Sequence, residues 1–489
     1  MTRKKALKWN GHEVFYQIFP ETFAIGGGAD IHSKAAKGFY PPDAILRAWN
    51  ELPSGDTESR EFWGGDLAGV AEKLDYIAGL GADTILLTSV FDSPSNHRYN
   101  ARDYRKIAPG LGTLDDFDWL IDSAHAKGIK IVFDIVLNHF SSDHPWFREA
   151  LADQNSKYRD YFRFHDGGYD CWQGHPSVPE WNLSNPAVRD ELYRGKDSVL
   201  VFWLARGIDG IRLDCANDLG TGICGEICSI VKEFDPDVRV YGEVFPYAAP
   251  FAEVLDGVQS YFLTGAIDSY LLDEIGTGDF LRALGRVWNG FPSRKLFQSL
   301  TITGSHDIPR AMTRYGSDNE RVMLAIALQF TLPGTPVIYY GEEAGMTGSY
   351  DPVNRTPMMW EKADAPEGFA GFYRKMAALR EVRREWREGD LTVMSVDDGC
   401  ALFFRSTDEP GEFSLVAVNP GHEKKAFRAH IPYPYLYDSI KLKDLLTGRE
   451  LSTRMGYADI EIGGKEACIW VPEPDYIRNY HFYKKNELK

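Results

Sequence analysis

The chain has 489 residues and a net charge of −17 at pH 7, with 44% hydrophobic and 26% charged residues. This composition is typical of a globular protein, and the length suffices for one large domain and a smaller one. The negative charge argues against a nucleic-acid partner, because phosphate binding needs basic surfaces, and the absence of a run of about 18 or more apolar residues argues against a membrane span.

The N-terminal segment has basic residues but lacks the apolar stretch of a secretory signal, so we expect a cytoplasmic protein. The six cysteines are too few in a chain of this length for a disulfide framework.

The first predicted strand covers residues 14–19 and ends at Pro20. Asp66 is predicted to cap a helix that ends near Gly79, and the apolar run 84–88 is typical of a buried parallel strand.

The same order of helix and strand repeats along the chain. A predicted helix from Thr113 to Gly128 precedes a predicted strand at residues 129–136. Further predicted strands cover residues 208–213, 238–242, 257–262, 300–303 and 336–340. Eight strands before residue 345, most of them separated by helical stretches, predict an α/β fold, the (β/α)8 TIM barrel.

Two parts of the chain depart from this alternation. Residues 140–190 are rich in Trp, His, Asp and Gly and predict an excursion domain after the third strand. Beyond about residue 385, short strands follow closely, at 391–396, 401–405, 414–418, 426–431 and 467–471, which is typical of an antiparallel β-sandwich. We expect the barrel over 11–139 and 191–385, the excursion domain over 140–190 and the C-terminal β-sandwich over 386–489.

Polar side chains follow the ends of four predicted barrel strands. They are Asp134 to His139, Arg212 with Asp214, Glu243, and His306 with Asp307. Taken alone, Arg212 and Asp214 are equally consistent with a buried ion pair that only fixes packing. Because the carboxyl ends of all barrel strands meet at one rim, the four ends together predict a catalytic pocket.

Two residues beside these strand ends need a separate interpretation. Cys215 follows Asp214, and strand alternation predicts that its side chain points away from the pocket into the core. Trp181 could be a sugar platform or a packing residue, and the sequence leaves both open.

The strand-end residues resemble the signature motifs of the α-amylase superfamily of glycoside hydrolases. Further matching segments are residues 16–20, 64–67, 93–99, 337–343 and 351–355. Residues 93–99, 178–182 and 216–218 most resemble the cyclomaltodextrinase, neopullulanase and maltogenic amylase group. Members of that group usually carry a domain before the barrel that helps to build their dimer. Since the first strand starts near Val14, we expect this domain to be absent and the protein to be a monomer or weak homodimer.

The resemblance implies a catalytic set of three carboxylates. Asp214 would be the nucleophile, Glu243 the general acid, and Asp307 the carboxylate that binds sugar hydroxyls and stabilises the transition state. Arg212 would orient Asp214 and keep it ionised. A retaining glycosidase needs one ionised and one protonated carboxyl about 5–5.5 Å apart, so we expect Glu243 to hold its proton near neutral pH while Asp214 does not.

The resemblance also implies sugar-binding residues. Tyr99 would stack on the sugar at the bond that breaks, and His139 and His306 would form hydrogen bonds with it. Asp351 and Arg355 would bind the next sugar on the non-reducing side.

Many α-amylases hold a structural calcium ion, using an asparagine matched here by Asn138 and a histidine at a position that is Asp218 in this chain. The loop 24–30, which holds a second calcium in relatives, offers few oxygen ligands. We therefore expect no required metal and no other cofactor, although calcium binding as such stays open.

The resulting hypothesis is a retaining hydrolase of α-1,4 bonds, with α-1,6 bonds left open, in maltooligosaccharides or cyclodextrins. One alternative is an α-glucan transglycosylase or a sugar isomerase, in which a sugar hydroxyl instead of water captures the intermediate. The other is a non-catalytic relative, such as the heavy chains of amino-acid transporters. Those chains have a membrane span and lose the catalytic carboxylates, whereas this sequence keeps all three.

Overall fold

In the computed structural model, the structure describes residues 5–55, 59–363, 365, 368–394, 399–409, 411–432 and 440–473. Eight parallel strands form a closed barrel, in the order β1-β8-β7-β6-β5-β4-β3-β2. They are β1 (Phe15–Ile18), β2 (Thr84–Leu87), β3 (Lys130–Ile135), β4 (Gly210–Leu213), β5 (Arg239–Val244), β6 (Gly257–Ser260), β7 (Leu300–Ile302) and β8 (Thr335–Tyr339). The predicted TIM barrel is therefore confirmed.

Large apolar side chains fill the interior of the barrel. Phe15 of β1 pairs in register with Val337 of β8 and with Thr84 of β2, which closes the ring. A buried cluster of inward-facing side chains occupies the space within the ring: Phe15, Leu86, Val132, Tyr241, Leu300, Ile302 and Val337. The interior of the barrel is thus a packed core, and its polar side chains lie near the strand ends.

Helices cover the outside of the barrel or lie in its loops. The described α-helices are Pro20–Phe23, Ile31–Ala36, Leu67–Glu72, Leu74–Gly79, Leu114–Ala126, Pro145–Ala152, Pro186–Arg189, Val199–Leu204, Ala216–Phe234, Ala249–Val254, Tyr261–Leu271, Thr277–Gly290, Ser293–Gln298, Ala311–Arg314, Asn319–Thr331, Ala370–Val382 and Arg384–Glu388. Asp66 and Thr113 cap helices as predicted, by accepting from the N–H groups of Gly69 and Asp116. None of the described helices combines the length and apolar character needed to cross a membrane.

Two predicted elements differ from the structure. The helix expected from Asp66 to Gly79 is divided at Lys73, whose backbone (φ −101°, ψ 7°) ends one helix and begins the next. The strand expected over residues 257–262 ends at Ser260, because Tyr261 already starts a helix.

Between β3 and β4 the chain forms an aromatic-rich excursion from the barrel. It contains the helix Pro145–Ala152 and a short antiparallel pair, Phe164–His165 with Gly168–Tyr169. Trp181 is 6% exposed, and its ring lies 4.3 Å from that of Phe140 and 5.4 Å from that of Phe162. Of the two interpretations left open, Trp181 is therefore a packing residue.

The C-terminal part is an eight-stranded antiparallel sheet, in the order β9-β10-β11-β16-β13-β14-β15-β12. The strands are β9 (Asp390–Met394), β10 (Ala401–Ser406), β11 (Phe413–Asn419), β12 (Lys425–His430), β13 (Lys441–Asp444), β14 (Glu450–Arg454), β15 (Tyr457–Ile462) and β16 (Glu466–Pro472). Side chains of β10, β11, β12 and β15 share one buried cluster, so the sheet curls around its own core. The predicted antiparallel strands are confirmed, and β13, β14 and β15 are additional. Residues 395 and 396 of the first predicted strand lie outside the described residues.

Candidate active site

Four carboxylates surround one buried guanidinium, that of Arg212. Its Nη1 lies 2.6 Å from Asp134 Oδ2 and 3.3 Å from Asp214 Oδ1. Its Nη2 lies 2.6 Å from Glu243 Oε1 and 3.7 Å from Asp307 Oδ2. The Arg212 side chain has no exposed surface, so water screens these interactions only weakly. The three carboxylates singled out in the sequence thus lie around a single side chain.

The register of four neighbouring strands creates this arrangement. Arg212 of β4 pairs with Asp134 of β3, so both side chains point into the barrel at the same level. Glu243 of β5 pairs with Gln259 of β6, and Gln259 Oε1 accepts a hydrogen bond of 2.9 Å from Arg212 Nε. Asp214 directly follows β4, and its N–H donates to Ile135 O at 3.1 Å. Adjacent strands therefore fix the guanidinium before substrate arrives.

Cys215 lies beside the pocket, so the prediction that its side chain points away is wrong. Its backbone is left-handed (φ 48°, ψ 43°) and begins the helix Ala216–Phe234, so the alternation of a strand no longer applies. Its Sγ and ligand atoms of His139 and Asp214 lie within 4.8 Å of one another. Its backbone N–H donates to Glu243 Oε2 at 2.9 Å. Burial and the carboxylates of Asp214 and Glu243 raise the pKa of the Cys215 thiol far above its ordinary value, so the thiol is no second nucleophile.

Burial changes the protonation of the two central carboxyls. Burial first, and then the charge of Asp134, raises the pKa of Asp214 to about 7, although Arg212 opposes the change. Burial, Asp307 and Asp214 raise the pKa of Glu243 well above its ordinary value, again against Arg212. The protonated Glu243 agrees with the expectation. Asp214 is less fully ionised at neutral pH than expected, because four carboxylates share one guanidinium.

Asp307 is the most exposed carboxylate of the set, with 23% of its side chain accessible. Tyr261 Oη donates to its Oδ2 at 3.3 Å, and Arg355 Nη2 lies 3.5 Å from its Oδ1. Burial raises its pKa, but His306, Arg212 and Arg355 together outweigh burial and lower it. Asp307 is therefore ionised at neutral pH and accessible to a ligand.

Asp351 and Arg355 form an ion pair at the rim, with 3.0 Å between Arg355 Nη1 and Asp351 Oδ2. Asp351 is 45% exposed, whereas Arg355 is 11% exposed and donates from Nε to His306 O at 2.9 Å. Arg355 thus connects the exposed Asp351 with Asp307 deeper in the pocket.

Tyr99 and His306 lie side by side, with parallel rings (3°) and 5.3 Å between their centroids. Tyr99 Oη donates to Asp134 Oδ2 at 2.8 Å and lies 2.7 Å from His306 Nε2. His306 Nδ1 lies 3.1 Å from Gln17 Nε2. Because burial lowers the pKa of His306 to about 3, its ring is neutral and can both donate and accept.

His139 lies in the same pocket, beside Asp214. Its Nε2 lies 3.8 Å from Asp214 Oδ2, and its ring lies 5.1 Å from the ring of Trp172 in the excursion. Burial lowers the pKa of His139 to about 3, so this ring is also neutral. Trp172 Nε1 donates to Asp218 Oδ2 at 3.1 Å, which joins the excursion to the barrel beside the pocket.

Sequence reasoning missed several residues of this pocket. Asp134 belongs to one of the four strand ends that the sequence analysis selected, but it was given no role. Since the predicted strand that contains it is next in order to that of Arg212, a contact between the two side chains could have been expected. Gln259 and Tyr261 carry no charge, so only the strand register reveals them. Phe245, two residues after Glu243, stacks on Tyr261 with 4.0 Å between centroids and is 48% exposed. An exposed aromatic ring near a polar pocket is a suitable surface for a sugar.

The residues that would match the calcium ligands of relatives have other partners. Asn138 Nδ2 donates to Glu180 Oε1 at 3.4 Å, and Asp218 accepts from Trp172. Both side chains therefore take part in contacts with the excursion, and we derive no catalytic step through a calcium ion.

Carboxyl groups brought together at the strand ends of a parallel barrel fit glycoside hydrolysis, which uses a pair of carboxyl groups beside the bond that breaks. The family model described as "Alpha amylase, catalytic domain" matches residues 17–224 and 267–389. The chain therefore belongs to the α-amylase family and is a hydrolase that acts on glycosidic bonds.

Similar proteins extend this finding. The chain is 32% identical to a cyclomaltodextrinase of Geobacillus thermopakistaniensis, over 92% of this chain and 75% of that protein. It is 31% identical to an intracellular maltogenic amylase of Bacillus subtilis, over 83% of this chain and 68% of that protein. The structure of a cyclic α-maltosyl-(1→6)-maltose hydrolase of Arthrobacter globiformis, bound to that sugar, superposes with a TM-score of 0.81. It is 29% identical, and the match covers 96% of this chain and 100% of that one.

Proposed function

We propose that the protein is a retaining glycosidase, with Asp214 as nucleophile and Glu243 as acid and base. The observation that carries this proposal is the set of contacts from Arg212 to Asp214, Glu243 and Asp307. Protonated Glu243 would donate its proton to the glycosidic oxygen while Asp214 attacks the anomeric carbon and the old bond breaks. Glu243, now ionised, would then take a proton from water as that water attacks the sugar and releases Asp214.

The remaining pocket residues would bind the substrate. Asp307, ionised and accessible, would accept hydrogen bonds from sugar hydroxyls, and neutral His139 and His306 would bind the same sugar. Tyr99 would stack on it. Asp351 and Arg355 at the rim would bind the next sugar.

For the substrate, we propose α-1,4-linked maltooligosaccharides and small cyclic glucans, with α-1,6 bonds as a second target. The names of the relatives support this choice, since one is a cyclomaltodextrinase and another hydrolyses cyclic α-maltosyl-(1→6)-maltose. The relative named an intracellular maltogenic amylase supports a cytoplasmic location. We also propose that the protein is a monomer or weak homodimer. Its domains would be the barrel over 11–139 and 191–385, the excursion domain over 140–190 and the C-terminal domain over 386–489.

Transglycosylation is a second candidate, because the exposed ring of Phe245 could hold an acceptor sugar. Phe245 is close in sequence to Glu243, the group that would deprotonate the incoming hydroxyl. A sugar bound there would compete with water for the glycosyl-enzyme intermediate.

A product time-course tests these proposals. Maltotriose, maltoheptaose, β-cyclodextrin, pullulan and cyclic α-maltosyl-(1→6)-maltose are incubated with the enzyme, and proton NMR records the anomer of the first product. We expect cleavage of short or cyclic substrates with the α-anomer appearing first, and no turnover by Asp214→Asn. First release of the β-anomer would reject retention, and activity on insoluble starch alone would reject the substrate class.

A further inference from the structure

A group of three metal-ligating side chains of different types lies within the pocket. The ligand atoms of His139, Asp214 and Cys215 are all within 4.8 Å of one another. All three residues are buried, with His139 3% and Asp214 6% exposed. One imidazole, one carboxylate and one thiol form a donor set suited to zinc and related ions, and not to calcium or magnesium.

Two of these side chains carry polar atoms without a partner. Asp214 Oδ2 and His139 Nδ1 are buried and have no hydrogen bond among the described residues. Asp214 Oδ2 and His139 Nε2 lie 3.8 Å apart, which is close to the separation of two ligands on one ion. An unsatisfied buried carboxylate oxygen is costly, and a cation between Asp214 Oδ2 and His139 Nε2 would satisfy it, while His139 Nδ1 faces away from that ion.

The left-handed turn at Cys215 completes the group. Had the strand continued, the thiol would point away from Asp214, but φ of 48° turns it toward the pocket. Tetrahedral zinc with bonds of about 2.0–2.3 Å holds its ligand atoms about 3.3–3.8 Å apart. Side-chain rotations that bring the atoms closer by about 1 Å would therefore suffice.

The local charge also attracts a cation. Arg212 faces Asp134, Asp214 and Asp307 as well as Glu243, which keeps its proton, so without Glu243 three carboxyl groups still face this one guanidinium. Arg212 contacts Asp214 through Oδ1, which leaves Oδ2 on the side of His139. A divalent ion would thus bind Asp214 without displacing Arg212.

We propose that His139, Asp214 and Cys215 form an inhibitory site for thiophilic divalent cations such as Zn²⁺ and Cd²⁺. The ion would bind the Cys215 sulfur, whose proton leaves to solvent, together with His139 nitrogen and Asp214 oxygen, and water would complete the coordination. Asp214 would then be unable to attack a sugar. The inhibition rests on the proposed function of Asp214, whereas the binding of the ion does not.

Cadmium titration tests the binding without reference to activity. The purified full-length protein is titrated with Cd²⁺, and the ultraviolet absorption of the cadmium–thiolate bond is recorded. We expect saturation at one ion per chain, loss of the band in Cys215→Ala and in Cys215→Ser, and its retention in the control Cys171→Ala. Cys171 is the control because it is the one half-buried cysteine, whereas the others are buried. A wild-type protein without the band, or the same band in Cys215→Ala, would overturn the proposal.

Zinc inhibition of maltotriose hydrolysis tests the consequence. We expect inhibition competitive with substrate, and an inhibition constant raised about tenfold or more in Cys215→Ala, since even lost second-shell partners cost about 10–100-fold in metal affinity. Each variant is compared with its own metal-free rate. Equal zinc sensitivity of wild type and Cys215→Ala would overturn the inhibitory role. A cysteine-dependent cadmium band in a protein without hydrolytic activity would reject the proposed function but leave the metal site in place.

Discussion

Replacing Asp214 by asparagine should stabilise the protein at neutral pH while abolishing hydrolysis. The pKa of Asp214 is about 7 in the folded protein, against an ordinary value of 3.8. A carboxyl with a raised folded-state pKa favours the fold only while protonated, so its ionisation costs stability. The cost is absent below about pH 4, grows as the pH rises to about 7, and is complete above that. The difference between the two values corresponds to about 4 kcal/mol.

Asparagine removes this cost because it has the same shape and cannot ionise. It keeps an oxygen toward Arg212 Nη1, which lies 3.3 Å from Asp214 Oδ1. The gain in unfolding free energy should therefore rise with pH. It should be near zero at about pH 4 and at most about 4 kcal/mol at about pH 8, because structural relaxation and water entry lower the cost of the buried charge.

Urea unfolding followed by tryptophan fluorescence measures this gain at several pH values. The control is Asp166→Asn at an exposed turn, which should leave the unfolding free energy unchanged throughout. If Asp214→Asn is no more stable than wild type at about pH 8, or if its gain is the same at about pH 4, burial does not set the protonation of Asp214 and the reasoning is refuted.

Other predictions test the remaining roles. In the wild type, kcat/KM should fall as the pH drops through about 7, because Asp214 becomes protonated; a flat profile there would contradict this. Glu243→Gln should lower kcat/KM on maltotriose about 10²–10⁴-fold and remove the basic limb of the pH profile, which a retained limb would contradict. Arg355→Ala should raise KM about 10–100-fold with a smaller change in kcat, through loss of charged hydrogen bonds to the next sugar; a change confined to kcat counts against that role. Phe245→Ala should lower the ratio of transfer to hydrolysis products at high maltose concentration, and an unchanged ratio would remove Phe245 as the acceptor platform.

The sequence was sufficient to predict the barrel because its strands are nearly uninterrupted apolar runs. Strands such as Thr84–Leu87 are buried at every position, as parallel strands covered on both faces are. Strands Lys441–Asp444, Glu450–Arg454 and Tyr457–Ile462 were not predicted. In Tyr457–Ile462 every second residue is exposed, an alternation that is typical of a half-buried strand, so this strand could have been predicted from the sequence. Lys441–Asp444 and Glu450–Arg454 have only four and five residues, so their pattern is short.

The sequence also identified which strand ends carry the polar groups, because barrel topology brings those ends to one rim. It could not identify the direction of Cys215, since that depends on a single left-handed residue after β4. Nor could it identify Gln259, whose contact with Arg212 depends on the register of β5 with β6.

The protonation of Asp214 was the least predictable property of the site, because it depends on how many charged groups lie close to it in the folded protein. A carboxylate beside an arginine is expected to be ionised, but Arg212 also contacts Asp134 at 2.6 Å and Glu243 at 2.6 Å. Each further carboxylate raises the cost of ionising its neighbours. In this pocket the same crowding that keeps a proton on Glu243 also raises the pKa of Asp214. The pKa values of the proposed acid, Glu243, and the proposed nucleophile, Asp214, are therefore coupled. Any substitution that lowers one of these pKa values should also change the other.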